Sequence, residues 1–262
     1  MTDTLSLRPP DGFPPRRLCL AADMEHYSRL DTRAQSAVQA DLVRLLDEAA
    51  RLSGLDRTAW ERQPQGDLEF AVLPETTPEP ALLGPFVHHL AARLGTLNSR
   101  PAAPRIRLRL ALDTGVATSA ALGHAGPAPV AVARYVNAPQ LKAVLAALTS
   151  ADLAVIVSDR LFQDTVRSGR PGLDPAQYLR AHVRVKEFGG YGWIRVPGHG
   201  PDEMRPFLEG PPEPRPAPEG SATRLTSLFQ HVRHGVAVGR DVNGGLTVGA
   251  PPPAPDSSRV PR

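Results

Sequence analysis

Two aspartates stand where carboxylates can do chemistry. Asp23 closes an apolar run, Arg17-Leu18-Cys19-Leu20-Ala21-Ala22, and Asp67 follows Gly66 just before another apolar run. Two carboxylates brought to one sheet edge are hard oxygen donors for Mg²⁺ or Mn²⁺. Taken singly, each also reads as a turn or capping residue. Other chemistry-bearing side chains are less pointed. His88-His89 lies on an amphipathic helix and reads as a surface and core-edge pair. His231 and His234 share a helical face, but zinc needs two further ligands that the sequence does not supply. Ser158 reads as a helix cap and Lys186 as a strand-end charge. No Gly-x-Ser-x-Gly elbow and no GxxxxGK[ST] phosphate loop is present.

The elements that must position these residues follow from periodicity. Residues 17–22 read as a buried strand. Over 31–53, Val38, Leu42, Leu45, Leu46, Ala49 and Leu52 recur on one helical face, with Asp31 or Thr32 at the start and Gly54 at the end. Residues 57–63 and 67–73 read as strands about Gly66-Asp67. Helical spacing returns over 79–97. Ile106, Leu108, Leu110 and Leu112 alternate with Arg107, Arg109 and Ala111, the period of a strand, and 116–122 is expected to pair with it as a hairpin. A helical region at 130–148 breaks at Pro139. Residues 151–157 read as a buried strand and 158–166 as a short helix. A closing hairpin, 179–186 with 191–196, is expected to turn at Gly189-Gly190. The expected fold is α/β (α+β): a ferredoxin-like βαββαβ core with a mixed or antiparallel sheet and helices mainly on one face.

The chain is expected to divide into a flexible lead-in at 1–15, one domain at 16–197, a Pro-rich linker at 198–222, a short helix with a Gly-rich hairpin at 223–250, and a disordered tail at 251–262. Residues 201–262 hold 12 of the 29 prolines, which marks the change of character. Asn243-Gly244-Gly245 between alternating apolar residues signals a hairpin. The net charge is only +3 and no long run of like charge occurs, so a nucleic-acid surface is not expected. One cysteine, Cys19, excludes a disulfide framework and reads as a buried thiol. There is no membrane-spanning apolar stretch and no signal peptide, which points to the cytoplasm.

The motif order resembles the class III nucleotidyl cyclase domain over most of 17–197. Asp23-Met24-Glu25-His26-Tyr27-Ser28 is similar to the family's D-I-x-G-F-S segment, and Gly66-Asp67 to its G-D turn, 44 residues later. Ile106 to Gly115 resembles the R-x-G-I-x-x-G strand, 123–139 the G-x-x-V-N-x-A-x-R helix, and Val185-Lys186-Glu187 the closing V-K-G turn. The resemblance implies that Asp23 and Asp67 hold Mg²⁺ or Mn²⁺ and that Arg134 stabilises the transferring phosphoryl group. It implies a nucleoside triphosphate substrate and a homodimer with the site across its interface. Departures are plain. Val130 stands where the partner asparagine is expected, Gln63 where a base-selecting lysine is expected, and the second base-selecting residue is missing from 127–129. Asn137 offers a replacement donor, or else caps the helix restarted at Pro139, while Gln63 and Gly66 complete the expected substrate contacts. The resemblance therefore leaves two readings: a cyclase using a different base, such as a pyrimidine, or a catalytically inactive regulatory or interaction module. An unrelated ferredoxin-like binding domain is the third. The tail sequence VGRDVNGGLTVG resembles ends of bacterial effector or signalling proteins, which implies either strand pairing with an effector or a floppy tail.

Overall fold

The computed structural model of the protein describes residues 14–101, 104–170 and 172–208. The expected linker beyond 208, the second histidine pair, the hairpin at Asn243 and the tail lie outside the described residues.

Among the described residues nine strands form a seven-stranded sheet and a two-stranded one. They are β1 (Arg16–Met24), β2 (Glu61–Gln65), β3 (Leu68–Val72), β4 (Leu108–Val116), β5 (Thr118–Ala120), β6 (Gly123–Ala125), β7 (Leu153–Ser158), β8 (Leu179–Val185) and β9 (Phe188–Arg195). The main sheet runs β2-β3-β1-β4-β7-β9-β8, and only β4 and β7 are parallel. Its first four strands carry the ferredoxin-like order, so the mixed α/β expectation holds. The hairpin expected between β4 and 116–122 does not form. Instead β5 pairs with β6, so this segment folds onto itself.

The helices follow from apolar spacing. α1 (Thr32–Leu52) starts at Asp31, whose side chain accepts from Ala34 N at 2.8 Å, and buries Val38, Leu42, Leu45, Leu46 and Ala49. α2 (Glu79–Ala81) runs through a π turn at Leu82–Phe86 into α3 (Val87–Asn98). Pro85 inside that turn cannot donate a backbone hydrogen bond, and the wider turn absorbs the gap. α4 (Pro127–Val136) and α5 (Pro139–Ala147) are split as Pro139 requires, and α6 (Asp159–Leu161) starts on the hydroxyl of Ser158.

The two faces of the sheet are both covered. Leu18, Leu20 and Ala22 of β1 face α1 and α3, while Cys19 and Ala21 face α4 and α5. The two longest helices share a face, as expected, but the shorter helices cover the other. The central strands are apolar on both sides, which requires two covers. α7 (Pro201–Leu208) belongs to the second cover and buries Met204 there. It forms where a proline-rich linker was expected, since Pro201 sits at the first helical position, where its missing N–H costs nothing. The closing hairpin turns at Lys186-Glu187, with Lys186 at φ 54°, and not at Gly189-Gly190, which lie inside β9.

No helix among the described residues is long and apolar enough to cross a membrane. Cys19 is fully buried in β1, and burial pushes its thiol up to about 12. Iodoacetamide at pH 8 should therefore leave the native protein unmodified and label it once denatured. Fast labelling of the native chain would show that β1 opens.

Candidate functional site

Alternation along β1 turns Asp23 to the face covered by α4 and α5. Its neighbour across the ladder is Arg109 of β4. Arg109 Nε donates to Asp23 Oδ2 at 2.8 Å, and Nη2 donates to the same oxygen. Both side chains are nearly buried, at 12 % and 13 % exposure. Burial pushes the Asp23 carboxyl above the usual carboxylate range, Arg109 draws it back, and the charge of Asp67 adds to the rise.

Asp67 enters β3 from the turn after β2. Gly66 sits at φ 67°, the left-handed region that glycine takes without strain. Met24 N donates to Asp67 O at 3.0 Å, which places the two aspartates at one end of adjacent strands. α1 fixes this corner through Gln39, whose amide contacts Gly66 O at 3.1 Å and Tyr27 Oη at 2.7 Å.

The remaining expected residues gather elsewhere. Gln63, Arg134 and Asn137 line one cavity of about 340 Å³ between β1–β3 and α4. Val130, Ala133, Arg134 and Asn137 face it as one helical stripe, at i, i+3, i+4 and i+7. Arg134 Nε is buried and has no hydrogen-bond partner among the described residues. Asn137 closes α4. Its amide donates to Ala133 O at 3.1 Å and its Oδ1 accepts from Lys142 Nζ at 3.0 Å. It therefore caps the end of α4, and Ala138 precedes α5 without a side-chain cap. Gln63 reaches Leu122 O at 3.5 Å, the limit of a hydrogen bond. Neither Asp23 nor Asp67 lines this cavity. Ala21 does, so Asp23 lies one strand repeat further along the same face.

α4 is held at this height by Gly126, at φ 124°. A Cβ there would stand 2.4 Å from Val116 O, which no side chain tolerates. The backbone of α4 thus approaches β4 at the one residue type that permits it.

Two groupings escaped the sequence. His124 Nε2 lies 2.8 Å from Glu61 Oε2, which also accepts from Ser119 Oγ at 3.1 Å, while Arg17 Nη1 reaches Oε1 at 2.5 Å. His124, then Arg17, holds the Glu61 carboxyl down at about 2. The pair is separated by 63 positions, so spacing carries no signal for it. The second grouping lines a cavity of about 740 Å³ beside the start of α4, with Asp113, Tyr135, Ser158 and Arg160 around it. Burial raises the Asp113 carboxyl even though Ser158 bonds to it.

No protein-family model and no curated protein matches the chain. Among solved structures the chain is similar to an adenylate/guanylate cyclase/hydrolase from Silicibacter pomeroyi, at 20% identity over 71% of this chain and 98% of that one, with a TM-score of 0.51. The fold is that of a class III nucleotidyl cyclase domain, in divergent form. A bacterial light-regulated adenylyl cyclase aligns with this cyclase-like domain over 74% of the chain and 98% of its own, at 12% identity and a TM-score of 0.48. Within the cyclase-like domain the aspartate corner belongs to β1 and the β2–β3 turn, and the cavity to α4 and β1–β3.

Proposed function

We propose that this domain binds a nucleoside triphosphate and a divalent cation and converts the nucleotide, slowly, to its cyclic form. The observation that carries the reading is the sorting of the side chains. Gln63 and the buried Arg134 Nε, which has no hydrogen-bond partner among the described residues, share one cavity, while Asp23 and Asp67 share one strand end.

The donor set fits Mg²⁺ or Mn²⁺. Both Arg109 contacts fall on Asp23 Oδ2, so Oδ1 keeps its lone pairs, and Asp67 supplies a second carboxylate. No group of three or more His, Cys, Asp or Glu surrounds a point among the described residues, so Asp23 and Asp67 would hold the cation with the rest of its oxygen donors coming from outside the chain. When bound, the cation polarises the nucleotide's 3′-hydroxyl and α-phosphate. Asp23 and Asp67 hold it there. Arg134 places a fixed cation where charge develops on the phosphoryl group, and Gln63 gives the base an amide that both donates and accepts. Val130 offers no such donor, and one missing donor lowers the rate by roughly 10²–10³.

A second copy of the chain completes this arrangement, with the aspartates of one copy serving the Arg134 cavity of the other. Leu122, fully exposed at the turn between β5 and β6, and Val130, 52 % exposed, give that interface apolar area. Val130 also favours the rival reading, a regulatory or interaction module that binds nucleotide without turning it over.

The test incubates the protein with Mn²⁺ and each of the four nucleoside triphosphates, with mass spectrometry for cyclic products. A cyclic product is expected from one of them, and Asp67→Ala should abolish it. Product formation unchanged in Asp67→Ala removes the aspartates from the mechanism. Binding with no product from any nucleotide selects the regulatory reading.

A further inference from the structure

Arg109 of β4 and Arg107, the residue before that strand, are used differently. Arg107 is tied into the scaffold. Its guanidinium donates to Leu148 O at 2.9 Å, to Ala151 O at 2.9 Å and to Glu25 at 2.6 Å. It thereby satisfies carbonyls at the end of α5 that the helix leaves open. Arg109 makes no such contacts. Among the described residues its hydrogen bonds go to Asp23 alone, and both go to the same oxygen. The ladder sets Arg109 directly opposite Asp23, so the pairing is built into the register. The pair is nearly buried, at 13 % and 12 % exposure, where little water screens it.

A guanidinium and a divalent cation are rivals for one carboxylate, because each neutralises the same charge. We propose that Arg109 is an internal counter-cation that competes with the divalent cation for Asp23 and lowers the protein's affinity for that cation when no nucleotide is bound. The inference rests on the reading of Asp23 and Asp67 as the cation's ligands. Arg109 is then a positioning residue: it holds Asp23 in place and keeps the site from filling with cation alone. The nucleotide, which brings phosphate oxygens, has to arrive for tight binding.

The experiment measures Mn²⁺ binding without nucleotide, from the electron paramagnetic resonance signal of the free ion, so no turnover is needed. Arg109→Gln should bind Mn²⁺ about tenfold more tightly than the natural chain, since removing one unit charge beside the ligand is of that size. Arg109→Lys keeps the charge and should stay close to the natural chain. Asp23→Asn leaves the Arg109 charge without its partner, so it should weaken binding in the natural chain by a similar factor and should erase the gain in Arg109→Gln. Weaker or unchanged binding in Arg109→Gln, with Asp67→Asn weakening it, makes Arg109 a scaffold residue and overturns the inference alone. Should Arg109→Gln fail to fold, Asp23→Asn decides on folded protein: unchanged binding there shows that the cation does not sense the Asp23–Arg109 pair and overturns the competition. If neither Asp67→Asn nor Arg109→Gln moves Mn²⁺ binding, the cation reading itself falls, and Arg109's role with it.

Discussion

In the Val130→Asn protein, cyclic nucleotide formation rises by about 10²-fold over the natural chain, as expected when one donor is returned to the transition state. Val130 sits on the α4 stripe one turn before Arg134 and lines the same cavity. It is 52 % exposed, so little buried apolar area is lost by the change. Valine and asparagine have similar helix propensities, so α4 keeps its stability. The gain should fall in kcat more than in KM, because the new amide meets charge that develops only during transfer. Steady-state kinetics with Mn²⁺ and the accepted triphosphate checks it. An unchanged kcat in a folded variant that binds nucleotide would place position 130 away from the transferring group and favour the regulatory module.

Arg57→Ala is expected to lower the unfolding free energy by about 3–5 kcal/mol, the range for breaking a buried ion pair from one side. Arg57 is 5 % exposed and donates from Nη2 to both oxygens of Glu69 at 2.6 Å, with Asp47 of α1 as a further partner. Glu69 is buried in β3, two residues after Asp67. Without Arg57 it becomes an uncompensated buried carboxylate. A fall of that size is a large part of the ~5–15 kcal/mol that holds a domain together. Urea unfolding at neutral pH measures it. Arg57→Met with Glu69→Leu should restore most of the loss, since an apolar pair of similar volume needs no counter-charge. If Arg57→Ala costs under about 1 kcal/mol, water reaches Glu69 and the pair behaves as a surface one.

Periodicity made the scaffold legible where burial is one-sided. The α1 stripe is buried at Val38, Leu42, Leu45, Leu46 and Ala49, while β4, whose sequence alternates at its start, is buried on both faces from Leu110 to Gly115 because the sheet is covered twice. The Gly66-Asp67 turn was legible because glycine takes the positive φ that the turn imposes. The second hairpin was not, because Lys186 takes the strained position and the glycines nearby serve as flat strand residues. α7 was hidden by its prolines. Its evidence is Met204, and one buried residue does not make a periodic signal. The site divides in the same way. Asp23, Asp67, Gln63 and Arg134 could be named from motif order. The Asp23–Arg109 pairing could not, since it depends on cross-strand register, and neither could the Glu61–His124 contact, which depends on how β6 folds over β2.

The rims of the main sheet bear on how the chain behaves in crowded solution. β2 and β8 are the two outer strands. β2 exposes Arg62 and Pro64, and β8 exposes Arg180, His182 and Arg184 on every second residue. A proline interrupts strand docking, and Arg180 and Arg184 repel their own image, so neither rim invites another copy to extend the sheet. Concentrated protein should resist fibrillar growth, and association of copies is left to side-chain surfaces such as the outer stripe of α4.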